Sequence, residues 1–245
     1  VCEKNGIDAS KFEIIGNPDE LKAVAQAVQL VHDGEGDVLM KGLCSTDKFL
    51  RAILNKENGL LPPKGLLSHV GILESPNYHK LLFLTDMAVL PLPDFRQKIK
   101  QTNFVVKVAK SFGIAKPKVA FLAASEQVLD SMPACMEAAA LAKMVDRGQI
   151  RGCIADGPLA LDVAIDNESV EIKKLVSPVA GDADCLVFPN IESANVFWKT
   201  NSKLSPGVRQ AGMLVGTTAP CILASRADSV DTKLNSIAEA VMSIL

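Results

Sequence analysis

The chain has 245 residues, 48% hydrophobic and 22% charged, with a net charge of −2. A chain of this length buries roughly 70–75% of the surface its unfolded form exposes, so its core needs no metal or disulfide staple. The interspersed charges exclude the basic stripe that nucleic-acid backbones demand, and no apolar run approaches the ~20 residues of a membrane span.

The opening Val1-Cys2-Glu3-Lys4 lacks the basic-then-apolar order of a signal peptide and an initiator Met, so the expected reading is a start inside a longer protein. Aromatic residues make up 4%, leaving Val, Ile, Leu and Ala to build the core, a mix that suits helix-covered parallel strands. Asn17-Pro18-Asp19-Glu20 reads as a helix start with Asn17 as cap and Pro18 in the first turn. Leu21, Val24, Ala25, Val28 and Val31 follow at helical spacing. A short strand at 37–40 leads into a loop at 41–46 that opens a helix reaching about residue 54. The runs 71–74 and 80–84 read as paired strands, and 95–112 as a helix.

A strand at 118–122 precedes a strong helix from about Met132 to Arg147. Further strands are expected at 153–155, 185–188 and 221–224, with a helix at 193–201, a mixed segment at 207–215 and a closing helix at 231–245. Strands alternating with helices argue for crossover units and parallel sheets. Pro117 suggests a boundary near Ala115. The six cysteines are scattered without a metal-ligand spacing, and most read as small core residues in a reducing compartment.

In open parallel sheets ligands gather beyond the carboxyl ends of strands. The stretch Ser225-Arg226-Ala227-Asp228-Ser229 follows an apolar strand and precedes a helix capped by Asp228 or Ser229. Backbone N–H groups at that helix start favour an anion, Arg226 adds a cationic fork, and Ser225 offers a hydroxyl to a developing negative oxygen. The alternative is a surface pair between Arg226 and Asp228 or another neighbour. Ser125-Glu126-Gln127 and Asp156-Gly157-Pro158 are further candidate loops, each also readable as an ordinary polar connection or turn. The histidines His32, His69 and His79 match no nucleophile pattern, and no G-x-S-x-G elbow, P-loop or dinucleotide fingerprint is present.

Several segments resemble the phosphate acetyl/butyryltransferase family. They are Val119 to Ala124, Met132 to Met144, Asp156-Gly-Pro-Leu159, Val179 to Asn190 and Ala224-Ser-Arg-Ala-Asp-Ser229. The resemblance runs in order from about Asn17 to the C-terminus, and Met-Pro-Ala and Ser-Arg-Ala-Asp favour the butyryl branch. It implies an isopropylmalate-dehydrogenase-like α/β fold: two three-layer α/β/α domains with mainly parallel sheets and an interdomain cleft. The division it implies is 1–107 with 216–245 as one domain, short of the family's N-terminal strand and helix, and 108–215 as the other.

The implied reaction moves a short-chain acyl group between coenzyme A and inorganic phosphate, giving acyl phosphate, with no metal or organic cofactor. A butyryl group is expected, with acetyl as the alternative; a CoA- or anion-binding member without activity is a rival reading. A decarboxylating dehydrogenase of related fold would need a metal-binding carboxylate set and a nicotinamide site, and neither is visible. Ser225 and Arg226 match the family's active-site pair. Its base, an Asp several residues later, aligns with Thr232, leaving Asp228 and Asp231 as candidates. The implied substrate-binding set is Lys41, Ser45, Thr46, Ser125, Glu126, Asp156, Gly157 and Asn190. A cytoplasmic homodimer or assembly of dimers, without nucleic-acid or membrane partners, completes the expectation.

Overall fold

Apolar four- to seven-residue runs and helical stripes fold into alternating strands and helices. In the computed structural model, which describes residues 2–225 and 228–244, the strands are β1 (Leu39–Met40), β2 (Ser68–Glu74), β3 (Leu82–Thr85), β4 (Lys118–Leu122), β5 (Ile154–Leu159), β6 (Cys185–Val187), β7 (Arg209–Val215) and β8 (Cys221–Ile222). They form one mixed sheet in the order β1-β8-β7-β2-β3-β6-β4-β5. Pairing is parallel between β1 and β8 and across β3, β6, β4 and β5. The β2–β3 hairpin and β7 supply the antiparallel pairs. The direction therefore reverses within the sheet: β8 runs opposite to β4, β5 and β6.

The helices are α1 (Glu20–His32), α2 (Thr46–Ile53), α3 (Phe95–Ser111), α4 (Pro133–Asp146), α5 (Leu161–Ile165), α6 (Asn167–Lys173), α7 (Ile191–Leu204) and α8 (Val230–Met242). Helices α3, α4 and α8 bury Val105, Leu141 and Ala240 with Val70, Phe83 and Met213. Strand residues alternate faces. Leu73, Leu84 and Leu186 accordingly pack with Val163 of α5 and Trp198 of α7 in a second core. A third joins Val24 and Val28 of α1 to Phe49 and Ile53 of α2 over Leu39 and Leu214. The α/β class is as expected.

Two local expectations change. The cap of α1 is Asp19, whose carboxylate accepts the Leu21 and Lys22 N–H groups at 2.9 and 3.1 Å; Asn17 instead accepts the Asp19 N–H at 3.2 Å. A carboxylate takes both bonds and places negative charge at a helix N-terminus, which favours it there. Asp156-Gly157-Pro158-Leu159 is not a turn but the last four residues of β5. Gly157 permits this because its backbone lies against β4 and α4; a Cβ there would stand 2.7 Å from Phe121 Cβ and 3.2 Å from Ala138 Cβ. The β4–β5 register shifts between Ala120 and Leu122 to accommodate the irregular strand.

Candidate active site

Gly71 of β2 and Gly212 of β7 are register partners, so two missing side chains coincide on one face of the sheet. Neighbours occupy that space. A Cβ on Gly71 would meet Met87 Cε and Trp198 Cζ3, both at 2.9 Å, and one on Gly212 would meet His69 Cε1 at 2.7 Å. Beside this bare patch lies a cavity of about 400 Å³. Residues from the starts of α2 and α8, the middle of α7 and the end of β8 meet around it.

The segment after β8 supplies Ser225 and Asp228 to the cavity wall. The Ser225 N–H donates to Asp228 Oδ2 at 2.6 Å, and the Asp228 N–H donates back to the Ser225 carbonyl at 3.1 Å. Ser229 caps α8, its hydroxyl accepting the Thr232 N–H at 3.0 Å. Thr232 and Ser236 line the cavity one turn apart, while Asp231 is exposed and outside its wall. Ser236 Oγ accepts the Gly212 N–H at 3.0 Å, fastening α8 to the floor. Arg226, the cation expected here, lies outside the described residues.

His69 enters the cavity from the first turn of pleat in β2. Asp86, buried just after β3, accepts the His69 backbone N–H at 3.1 Å and the Ser68 hydroxyl at 2.8 Å. It also accepts the N–H groups of Ala88 and Val89 at 2.8 and 2.9 Å, which shapes the wall at Met87 and Ala88. Burial pushes the His69 imidazole below its ordinary pKa, opposed by the Asp86 and Asp228 carboxylates, so the ring is neutral at pH 7. Its Nδ1 faces Met87 Sδ.

Two lysines complete the wall. Lys41, 5% exposed, donates to the Gly42 and Cys44 carbonyls at 3.1 and 2.9 Å. An ammonium has three hydrogens, so one remains for a ligand. Lys199 projects from α7 and has no ion-pair partner among the described residues. Met87, Ala88, Trp198 and Leu223 give the cavity an apolar side.

Of the residues singled out in the sequence, Lys41, Thr46, Ser225 and Asp228 meet at this cavity. Ser45 sits next to it as the cap of α2, accepting the Lys48 N–H at 3.3 Å. The others lie elsewhere. Ser125 and Glu126 follow β4 and Asn190 follows β6, and none of the three lines this cavity. Ser125 Oγ accepts the Gln127 N–H, and Glu126 pairs with Lys173 at 2.9 Å. Asn190 caps α7, accepting the Ser193 N–H at 2.9 Å. Asp156 and Gly157 lie on β5, at the far edge of the sheet.

His69, Asn195, Trp198, Lys199 and Ser236 were not singled out by sequence. For Trp198, the lone tryptophan, and for the paired glycines 71 and 212, the signal was present but unreadable without the β2–β7 register.

Fold and site together define an α/β protein whose cavity combines a helix start, two lysines and a neutral imidazole. The family model for "Phosphate acetyl/butaryl transferase" matches residues 2–241. The chain is 48% identical over 242 residues to the phosphate butyryltransferase of Clostridium acetobutylicum, covering 99% of this chain and 80% of that protein. It is 41% identical over 226 residues to the phosphate acetyltransferase of Thermotoga maritima, covering 92% of this chain and 76% of that protein. The crystal structure of a branched-chain phosphotransacylase from Enterococcus faecalis superposes with a TM-score of 0.89 at 32% identity, covering 97% of this chain and 84% of that one. The chain belongs to the phosphate acetyl/butyryl transferase family.

Proposed function

We propose that this chain transfers a short-chain acyl group, butyryl in the first place, between coenzyme A and inorganic phosphate. The observation that carries the reading is the placement of Ser225 and the start of α8 in the wall of a cavity that also holds Lys41 and Lys199. Helix N-termini and ammonium groups both favour a phosphate dianion. The apolar side at Met87, Ala88, Trp198 and Leu223 suits an alkyl chain longer than a methyl group.

In this reading Arg226 and the α8 start hold the phosphate, and Ser225 donates to the carbonyl oxygen as it gains charge. Lys41, Thr46 and Lys199 contact the substrates; Asp228 fixes the Ser225 segment. Transfer is direct within a ternary complex, with no covalent acyl-enzyme and no resident metal or organic cofactor. Cys44 and Cys221 have no nucleophilic role; burial pushes the Cys221 thiol up to about 12, away from thiolate.

Assembly from two or more copies belongs to the same proposal. Val230, Leu234, Ile237 and Val241 recur at helical spacing along α8 and are 79%, 61%, 39% and 44% exposed. A contiguous apolar stripe of this kind is a common mark of a protein interface. A cytoplasmic setting is supported by free cysteines at every cysteine position, and among the described residues no helix is long and apolar enough to cross a membrane.

The decisive assay follows thiol release from a panel of acyl-CoAs on adding phosphate. Butyryl-CoA is expected to give the highest kcat/KM, and Arg226→Ala to lower turnover about a hundredfold while leaving the melting temperature unchanged. Near-normal phosphate-dependent release by that variant would overturn the assignment.

A further inference from the structure

The proposed reaction needs a proton acceptor. A CoA thiol has a pKa of about 8.5, so little of it is thiolate at neutral pH. Among the described cavity residues the titratable side chains are Lys41, His69, Lys199 and Asp228. The two ammonium groups have no lone pair to offer. Asp228 Oδ2 already accepts the Ser225 N–H at 2.6 Å, and a carboxylate is a poor match for a thiol proton.

His69 is left. Its Nδ1 faces Met87 Sδ, a weak acceptor, which directs the ring hydrogen to that side and the Nε2 lone pair away from it. Nε2 has no hydrogen-bond partner among the described residues and packs beside Gly212 at the cavity wall, 3.0 Å from where a Cβ would stand. Its backbone is anchored by Asp86 and the ring is wedged against Gly212, so the imidazole is held in place before substrate arrives.

Resting on the acyltransferase reading above, we propose that His69 Nε2 is the general base that takes the CoA thiol proton. The S–H bond breaks as the Nε2–H bond forms. The thiolate then attacks the carbonyl carbon of the acyl phosphate, a C–S bond forms, the C–O bond breaks and phosphate leaves. The imidazolium returns its proton to the departing phosphate or to water. In the opposite direction the same imidazolium protonates the CoA thiolate as phosphate displaces it. Two carboxylates act on the ring, Asp86 beyond β3 and Asp228 before α8, while Lys199 on α7 and Lys41 beyond β1 line the same cavity. The two carboxylates stabilise the transient imidazolium, and burial opposes it.

The test compares wild type with His69→Gln in the direction CoA plus butyryl phosphate, between about pH 6 and pH 9. At neutral pH kcat/KM is expected to fall about a hundredfold, with the KM for butyryl phosphate little changed. The deficit should shrink towards high pH, where the thiol ionises without help. A deficit that is constant with pH, or no deficit, overturns the proposal. Should the variant not fold, the ¹⁵N ring signals of wild-type His69 decide: an unprotonated Nε2 whose resonance moves on adding CoA supports the role, and an Nε2–H tautomer indifferent to CoA overturns it. Wild type inert towards every acyl-CoA would sink the acyltransferase reading and this inference with it, whereas an active wild type with an equally active His69→Gln sinks this inference alone.

Discussion

The Asp228 carboxylate accepts the Ser225 backbone N–H at 2.6 Å while the Ser225 carbonyl accepts the Asp228 N–H at 3.1 Å. This reciprocal pair fixes the residue that leaves β8 relative to the one that leads into α8. A charged acceptor on a backbone N–H contributes ~1.5–3 kcal/mol. Asp228→Ala is therefore expected to lower kcat/KM between about tenfold and a hundredfold. Steady-state kinetics on butyryl-CoA check this, with the far-UV circular dichroism unchanged.

Ser236 joins helix to floor. Its hydroxyl accepts the Gly212 N–H at 3.0 Å and donates to the Thr232 carbonyl at 2.8 Å. Ser236→Ala strands a buried N–H, at a cost of about 1–3 kcal/mol. For a chain of this size each kcal/mol shifts the melting temperature by about 2–4 °C. A thermal melt should show a drop of that order, and activity should fall with it because Gly212 is in contact with the His69 ring.

Glu239 sits on the buried side of α8, 1% exposed, with neither carboxyl oxygen hydrogen-bonded among the described residues. Burial raises its pKa well above the ordinary glutamate value of 4.5, so the folded chain keeps a proton there that the unfolded chain loses. Where the folded state binds the extra proton, stability falls as pH rises. The penalty is absent below the ordinary glutamate range and grows from there towards the raised folded pKa. Glu239→Gln, which cannot ionise, is expected to melt higher than wild type at pH 8 and by a smaller margin at pH 5. Equal margins at both would show that the carboxyl is not held protonated.

The α8 stripe makes a separate prediction. Leu234, 61% exposed, lies in its middle. Leu234→Lys places a charge inside the proposed contact between copies and is expected to shift the protein to a smaller species in light scattering. The isolated fold should persist, since Leu234 belongs to none of the buried cores.

Much of the fold was legible because local chemistry was unambiguous. Helix α4 follows from Pro133 in its first turn and from Ala138, Leu141 and Ala142 on its buried face. The β2–β3 hairpin follows from two apolar runs flanking Ser75-Pro76-Asn77, and α8 from Ser229 at its cap. Helices α5 and α6 were missed because at five and seven residues they are too short to show a period. Asp156-Gly157-Pro158 read as a turn because its composition outweighs its context; only packing against Phe121 and Ala138 reveals the strand.

By itself the sequence determined the α/β class, the helix start after β8 and the family, since these rest on short-range pattern and on residues adjacent along the chain. Tertiary structure decided the site. It paired Gly71 with Gly212 so that His69 and Trp198 reach one cavity with Ser225 and Asp228. Strand direction and register depend on which distant surfaces are buried together, a free energy summed over the whole core that no local segment carries.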